Sequence, residues 1–178
     1  MQINKLTPEI HVYELRPLKN DKEYNDCLWA RFTFDCDNGS LVIAGDAGEY
    51  SYTWGYNQNE KFMHLMSRIN KYYLMDKISG RRVLNLKESK ERTIEHIEHS
   101  GYEDYGISSE EEWRLTKNEL IGIETSSEMT FYDRVRAAVP KIDYEDIYIE
   151  KDYPRSVTIL ADWFEAYLQP EIKKEFGE

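Results

Sequence analysis

The sequence predicts an α+β fold, in which an antiparallel β-meander packs on a long helix and an acidic helical second half follows. Three observations support this prediction. Residues 10–56 alternate apolar and polar side chains at the strand period of two, residues 59–168 place apolar side chains at helical spacing, and acidic residues concentrate after residue 87. We therefore expect residues 1–83 to form the sheet and the long helix, and residues 84–178 to form the acidic helical region packed on it.

The meander is predicted from four short segments separated by turn residues. These segments are residues 10–15, 28–34, 41–44 and 49–56, with turns at 37–40 and 45–48 that are rich in Asp, Asn and Gly. In the second segment Leu28, Ala30, Phe32 and Phe34 share one face, which indicates the buried side of the sheet.

The helices are predicted from apolar spacing and from their end signals. Residues 59–78 give the long helix, which ends at Ser79-Gly80, and residues 87–99 give a mostly polar helix. Ser108 and Glu111 match a capping box that opens a helix to residue 120. Ser126 or Ser127 caps the next helix, and the last runs from residue 154 to 168, where Pro170 kinks or ends it.

The negative charge lies in one part of the chain. Residues 1–86 contain 11 Lys or Arg and 11 Asp or Glu, whereas residues 87–152 contain 9 against 18, a net charge of −9. Such a region repels nucleic acid and attracts basic proteins. No apolar run approaches the 18 residues of a membrane span and no leader segment opens the chain, so we expect no membrane partner and an intracellular protein.

The acidic region supplies the predicted partner-binding residues. Each acidic residue alone is also explained as part of a solvated face, and the three glutamates that open one helix are favoured there by the helix dipole. The regional excess is what indicates a basic partner. The candidate residues are Glu110, Glu111, Glu112, Glu119, Glu124, Glu128, Asp143, Glu145 and Asp146.

A metal site is the alternative that the sequence leaves open. His96 and His99 are three residues apart on a predicted helix, which places both imidazoles on one face. Zinc needs further ligands, and the thiols of Cys27 and Cys36 are the natural ones. Counting by twos along the strand puts these two thiols on opposite faces, so they meet only if the strand ends near Phe34 or if Cys27 lies before it. Asp35 and Asp37 are alternative ligands in place of one thiol. The simpler interpretation is that both histidines are solvated and that the protein requires no cofactor.

The run from Gly45 to Gly55, with its alternating tyrosines before Trp54, and the later run 73–78 resemble a family of small phage and prophage proteins. The segment Trp163-Phe164 to Lys173 is also similar to theirs. The resemblance covers about a third of the chain. It implies a phage protein acting in the cytoplasm of a host bacterial cell, and by association an anti-CRISPR protein.

No nucleotide-binding, nucleophile-elbow or calcium-loop motif is present in the sequence, so we expect a protein that is not an enzyme. The function expected is inhibition of a host defence nuclease, by binding a basic surface of a type II CRISPR effector and blocking DNA loading. The alternatives are a zinc-binding protein or metal-dependent enzyme centred on His96 and His99, and a host-takeover adaptor.

Overall fold

The chain folds into two units in a computed structural model that describes residue 3 and residues 7–55 and 61–177. The sheet unit comprises Met1–Arg81 and Tyr153–Glu178, and the acidic unit comprises Arg82–Asp152. The α+β class is confirmed. The division of the chain differs from the predicted one, because residues 153–178 belong with the sheet and not with the acidic helices.

The sheet unit contains a four-stranded antiparallel meander in the order β1-β2-β3-β4. The strands are β1 (Ile10–Leu15), β2 (Ala30–Asp35), β3 (Ser40–Gly45) and β4 (Gly48–Thr53). Phe32 and Phe34 are fully buried, as their alternation predicts. Leu28 is exposed because β2 begins two residues later, so its predicted place on the buried face is wrong. Tyr56, the predicted end of the last strand, lies outside the described residues.

The predicted long helix is two helices, α1 (Phe62–Arg68) and α2 (Lys71–Ile78), and its predicted start at residue 59 lies outside the described residues. The break has a local cause. Ile69 is extended, and the Asn70 side chain accepts a hydrogen bond from the backbone N–H of Tyr73, which caps α2. The apolar spacing continues across the break, and for this reason the pattern indicated one helix.

The C-terminal segment is one helical run with a wide turn inside it. It consists of α6 (Arg155–Trp163), a π-helical turn (Phe164–Leu168) and α7 (Gln169–Phe176). Pro170 lies in the first turn of α7 and has no N–H to donate. The π turn lies just before this proline, where widened hydrogen bonding accommodates the missing donor. The helical run therefore continues past the proline, so the predicted end at this position is wrong, and the irregularity next to the proline is the π turn.

The core of the sheet unit lies between the sheet and these helices. In it α1 packs on α7 and α2 packs on α6. Phe164 of the π turn contacts Phe32 of β2, with 6.3 Å between ring centroids, and Phe62 of α1 lies 6.3 Å from Phe34. Phe32 and Phe34 of β2 are thus each contacted by one aromatic side chain from the helices that cover the sheet.

The acidic unit is helical and begins and ends at a two-stranded ladder. Its strands are β5 (Val83–Leu84) and β6 (Lys151–Asp152), and its helices are α3 (Leu86–Ser100), α4 (Glu110–Ile121) and α5 (Glu128–Ala138). Its separate core includes Ile97, Leu120 and Phe131, all at most 1% exposed. Among the described residues, no helix combines the length and the apolar character that a bilayer span needs.

The cap of α4 lies one residue beyond the predicted one. Ser109, and not Ser108, accepts the backbone N–H of Glu112 on its hydroxyl, at 3.2 Å. Glu112 in turn accepts the backbone N–H of Ser108 on its carboxylate, at 2.7 Å. A capping arrangement of the predicted type is thus present, but with Ser109 and Glu112 in place of Ser108 and Glu111. Ser127 caps α5 by accepting from Thr130.

Candidate partner-binding site in the acidic unit

The acidic unit holds most of the excess negative charge. It has ten Lys or Arg residues and eighteen Asp or Glu residues, a net charge of −8. The sheet unit has thirteen against sixteen, a net charge of −3. The fold therefore keeps the charge excess within a single compact unit instead of distributing it over both.

Four of the predicted residues lie on α4. Glu110, Glu111 and Glu112 form its first turn and are exposed, where the helix dipole favours negative charge. Glu119 is exposed seven residues after Glu112, so these two carboxylates lie on one side of the helix. Glu112 also fixes the start of the helix through Ser108, and its carboxylate is partly committed to that role.

Two predicted residues take part in ion pairs. Glu128, in the first turn of α5, pairs with Lys151 at 3.0 Å, and Glu124 lies 4.0 Å from the ammonium of Lys90. Pairs this exposed contribute at most about 1 kcal/mol, and a basic partner can exchange with them. Both glutamates therefore contribute less unbalanced charge than the sequence alone indicates.

The remaining three lie at a single 3₁₀ turn, Tyr144–Asp146. Asp143 and Glu145 are exposed, whereas Asp146 is half-buried and its carboxylate lies 3.1 Å from Nε2 of His96. Asp146 thus holds α3 to the turn. Six of the nine predicted residues are exposed and have no ion pair among the described residues. They are Glu110, Glu111, Glu112, Glu119, Asp143 and Glu145, and of these Glu112 also accepts a hydrogen bond from the Ser108 backbone.

A groove in the acidic unit is a feature that the sequence did not predict. It has a volume of about 680 Å³, and Leu86, Ile94 and Ile121 form its apolar floor. Two lysines of the groove have partners. The Lys90 ammonium donates to the backbone carbonyl of Ile121 at 2.7 Å, and Lys117 pairs with Glu98. Its lysines balance most of its glutamates, so the groove is close to neutral. Only the packing of α3 on α4 brings these residues together, and the sequence does not specify that packing.

The residues proposed as zinc ligands do not assemble. Cys27 and Cys36 flank β2 in the sheet unit, separated by six residues of extended strand, roughly 20 Å, so the two thiols cannot share one ion. His99 is exposed, and His96 contacts Asp146 and the Tyr148 hydroxyl with its two ring nitrogens. No third potential ligand joins these histidines among the described residues.

The Cys27 thiol is part of a hydrogen-bonded turn. It donates to the carboxylate of Asp46 at 2.8 Å, and the same carboxylate accepts the backbone N–H groups of Leu28 and Trp29. Burial, and then the hydrogen bond to Asp46, raises the pKa of this thiol to about 11. Burial opposes ionisation of Asp46, but the three donors outweigh it and lower the pKa of the carboxyl group. Cys27 is therefore a structural, protonated thiol.

Potential metal ligands do converge at another place, which the sequence did not predict. Among the described residues, ligand atoms of Glu9, His11 and Cys36 all lie within 4.8 Å of one another. Burial, and then the charges of nearby carboxylates, raises the pKa of the Cys36 thiol to about 11. The cluster depends on the register of β1 with β2, for which the sequence gives no direct signal.

These features define an α+β protein of two units, of which the helical one holds most of the excess negative charge. The profile of a phage protein family, Phage_phiTE_072, matches residues 1–174, and the chain belongs to this family. Comparison with curated proteins and with solved structures gives no match. The resemblance to phage proteins is thereby confirmed at the level of the family.

Proposed function

We propose that this phage-family protein is a non-enzymatic inhibitor that binds a basic surface of a host defence nuclease through its acidic unit. The observation that supports the proposal is the concentration of a net charge of −8 in residues 82–152. Within that unit, exposed carboxylates on α4 and at the 3₁₀ turn have no ion-pair partner among the described residues.

The partner class follows from complementary charge. A type II CRISPR effector holds its guide–target duplex in a positively charged channel and must open that channel to load DNA. A folded acidic unit that occupies such a surface competes with the phosphate backbone for the same basic side chains. Charge of this kind increases the association rate and discriminates against acidic surfaces, including nucleic acid itself.

Besides Glu124 and Glu128, which pair with lysines, the candidate residues divide into two groups by their role in the fold. Glu110, Glu111, Glu119, Asp143 and Glu145 are free to contact a partner, and their loss removes charge without removing a described side-chain contact. Glu112 and Asp146 hold the start of α4 and the 3₁₀ turn in place, so their substitution mixes binding with folding.

The test uses charge-neutralising variants in a DNA-loading assay with a purified type II effector. The variant Glu110→Gln/Glu111→Gln/Glu119→Gln removes three exposed charges from α4. We expect it to inhibit DNA loading less and to associate more slowly than the unaltered protein. The difference in association rate between the two proteins should become smaller at high salt, because salt screens the electrostatic attraction to the effector in both cases.

The control removes three exposed charges from the sheet unit, as Glu49→Gln/Glu165→Gln/Glu171→Gln. Circular dichroism checks that it stays folded, because Glu165 accepts the backbone N–H of Lys71 and Glu171 pairs with Lys174. The control has the same net charge as the α4 variant and should retain the original inhibition. If both triple variants inhibit equally, the acidic unit has no special part in binding and the proposal is wrong. Loading that is unaffected by the unaltered protein would reject this nuclease class and favour a host-takeover adaptor.

A further inference from the structure

One end of the sheet brings together three side chains that can bind a metal. The backbone N–H of Cys36 donates to the carbonyl of Glu9 at 2.9 Å, so Glu9 lies opposite Cys36 just beyond the paired ends of β1 and β2. His11 is two residues along β1 and therefore points to the same face as Glu9. This is the inner face, on which Phe34 of β2 is buried.

The distances among the three ligand atoms are close to those of a metal site. Oε1 of Glu9 lies 3.0 Å from Nε2 of His11, and Sγ of Cys36 lies within 4.8 Å of both. Bond lengths of about 2.0–2.3 Å to zinc place tetrahedral ligands roughly 3.3–3.7 Å apart. The ligand atoms must therefore approach one another by about 1 Å or somewhat more when the ion binds.

The surroundings leave room for an ion and for one more ligand. A cavity of about 410 Å³ opens beside Glu9 and Cys36 and is also lined by Asp37 and Met63. The Asp37 carboxylate lies near, because its Oδ2 accepts the backbone N–H of Glu9 at 3.3 Å. On the other side the His11 ring packs edge-on against Phe176, at 5.0 Å between centroids, which restrains the imidazole.

We propose that Glu9, His11 and Cys36 form a binding site for a divalent transition-metal ion of the zinc type. A thiolate, an imidazole and a carboxylate together favour zinc and its neighbours over magnesium or calcium, which take oxygen ligands. When the metal–sulfur bond forms, the Cys36 thiol releases its proton to solvent. The Glu9–His11 hydrogen bond is then replaced by one bond from each side chain to the ion. For this His11 changes tautomer, so that its proton lies on Nδ1 and Nε2 is free to bind the ion.

The bound ion would tie the beginning of β1 to the end of β2. The fourth position of the tetrahedron faces the cavity, where water or the Asp37 carboxylate supplies the oxygen. Because Cys36 lies 25 residues after His11 in the chain, the ligands come together only when β1 pairs with β2. Binding therefore selects the native sheet and stabilises it.

The experiment is a titration of the full chain, reduced and stripped of metal with a chelator, with cobalt(II). We expect one equivalent to produce visible ligand-field bands of a tetrahedral ion and a near-ultraviolet sulfur-to-cobalt charge-transfer band. One equivalent of zinc should displace the cobalt and abolish both. Zinc should also raise the thermal midpoint of the unaltered protein.

Matched variants locate the site. Cys36→Ser should abolish the charge-transfer band, whereas Cys27→Ser, which alters the other buried thiol, should retain it. His11→Ala should weaken cobalt binding by at least tenfold, and His99→Ala should leave it unchanged. Circular dichroism establishes that each variant is folded. An unaltered protein without a charge-transfer band, or a band that persists in Cys36→Ser, would overturn the proposal.

Discussion

The side-chain amide of Gln169, at the start of α7, donates to the backbone carbonyl of Met66 at 3.2 Å and also to that of Ile69. Gln169 is only 5% exposed. Met66 lies in the last turn of α1 and Ile69 is its C-cap, so both carbonyls lie at the helix end, where helical partners are missing. One side chain from the C-terminal helix thus satisfies the end of a helix a hundred residues earlier. This contact helps to explain why α1 ends where the apolar spacing continues.

Replacing Gln169 should therefore be costly. In Gln169→Leu the two carbonyls lose their donor in a buried place, and we expect a loss of about 1–3 kcal/mol in the free energy of unfolding. Chemical denaturation of the full chain measures it. The control is Asn118→Leu, at an exposed position of α4, which should change the free energy of unfolding by no more than about 0.5 kcal/mol. Equal effects in the two variants would contradict the role given to Gln169.

Trp54 is a core residue and not a surface platform. Its ring contacts Phe62 at 5.5 Å between centroids, its Nε1–H donates to the Tyr73 hydroxyl at 3.1 Å, and it is 7% exposed. We expect Trp54→Ala to destabilise the protein by about 3–5 kcal/mol. Tyr72→Ala, at a site 66% exposed, is the control and should have little effect. An unchanged melting temperature in Trp54→Ala would contradict the core assignment.

The cap of α4 distinguishes two adjacent serines. Ser109→Ala removes the hydroxyl that accepts the N–H of Glu112, and should cost about 1 kcal/mol. Ser108→Ala retains the backbone N–H that Glu112 accepts, and its stability should stay close to that of the unaltered protein. Urea unfolding of the two variants, compared by their midpoint concentrations, shows which serine caps α4. A larger loss from Ser108→Ala would place the cap where the sequence pattern predicted it.

Asp46 should make the sheet unit sensitive to acid. Its folded-state pKa is lowered, because hydrogen bonds from Cys27, Leu28 and Trp29 outweigh burial. The stability it contributes is therefore present above its unfolded pKa of about 4 and is lost as the pH falls below that value. We expect the thermal midpoint of Asp46→Asn to fall less steeply between neutral and acid pH than that of the unaltered protein. Asp104→Asn, an exposed change of equal charge, should retain the original pH profile.

The same variant should also change the reactivity of Cys27. The Cys27 thiol donates its hydrogen bond to the negatively charged Asp46 carboxylate. Removing that charge lowers the pKa of Cys27 from about 11, so a larger fraction of Cys27 becomes thiolate at mildly alkaline pH. We expect faster alkylation of Cys27 by iodoacetamide in Asp46→Asn, measured by mass spectrometry of the Cys27 peptide. Equal rates in the two proteins would mean that burial alone controls this thiol.

Local patterns predicted those parts of the molecule that local physics determines. The alternation Ala30, Phe32, Phe34 identifies the buried face of β2, and the acidic residues of α4 are exposed as their helical positions indicate. The break before Asn70 was not predictable from spacing, because the apolar spacing continues across it and the amide that satisfies the end of α1, that of Gln169, comes from the far end of the chain. The cluster of Glu9, His11 and Cys36 likewise depends on a strand register that no single segment encodes.

The pairing of β5 with β6 has an evolutionary consequence. Val83 lies opposite Asp152, so the chain leaves the sheet unit and returns to it at two points a single strand spacing apart. A few residues would bridge Arg81 and Tyr153 if the intervening stretch were cut out of the gene. Recombination can therefore add, remove or replace the whole acidic unit as one cassette while the order of elements in the sheet unit stays the same.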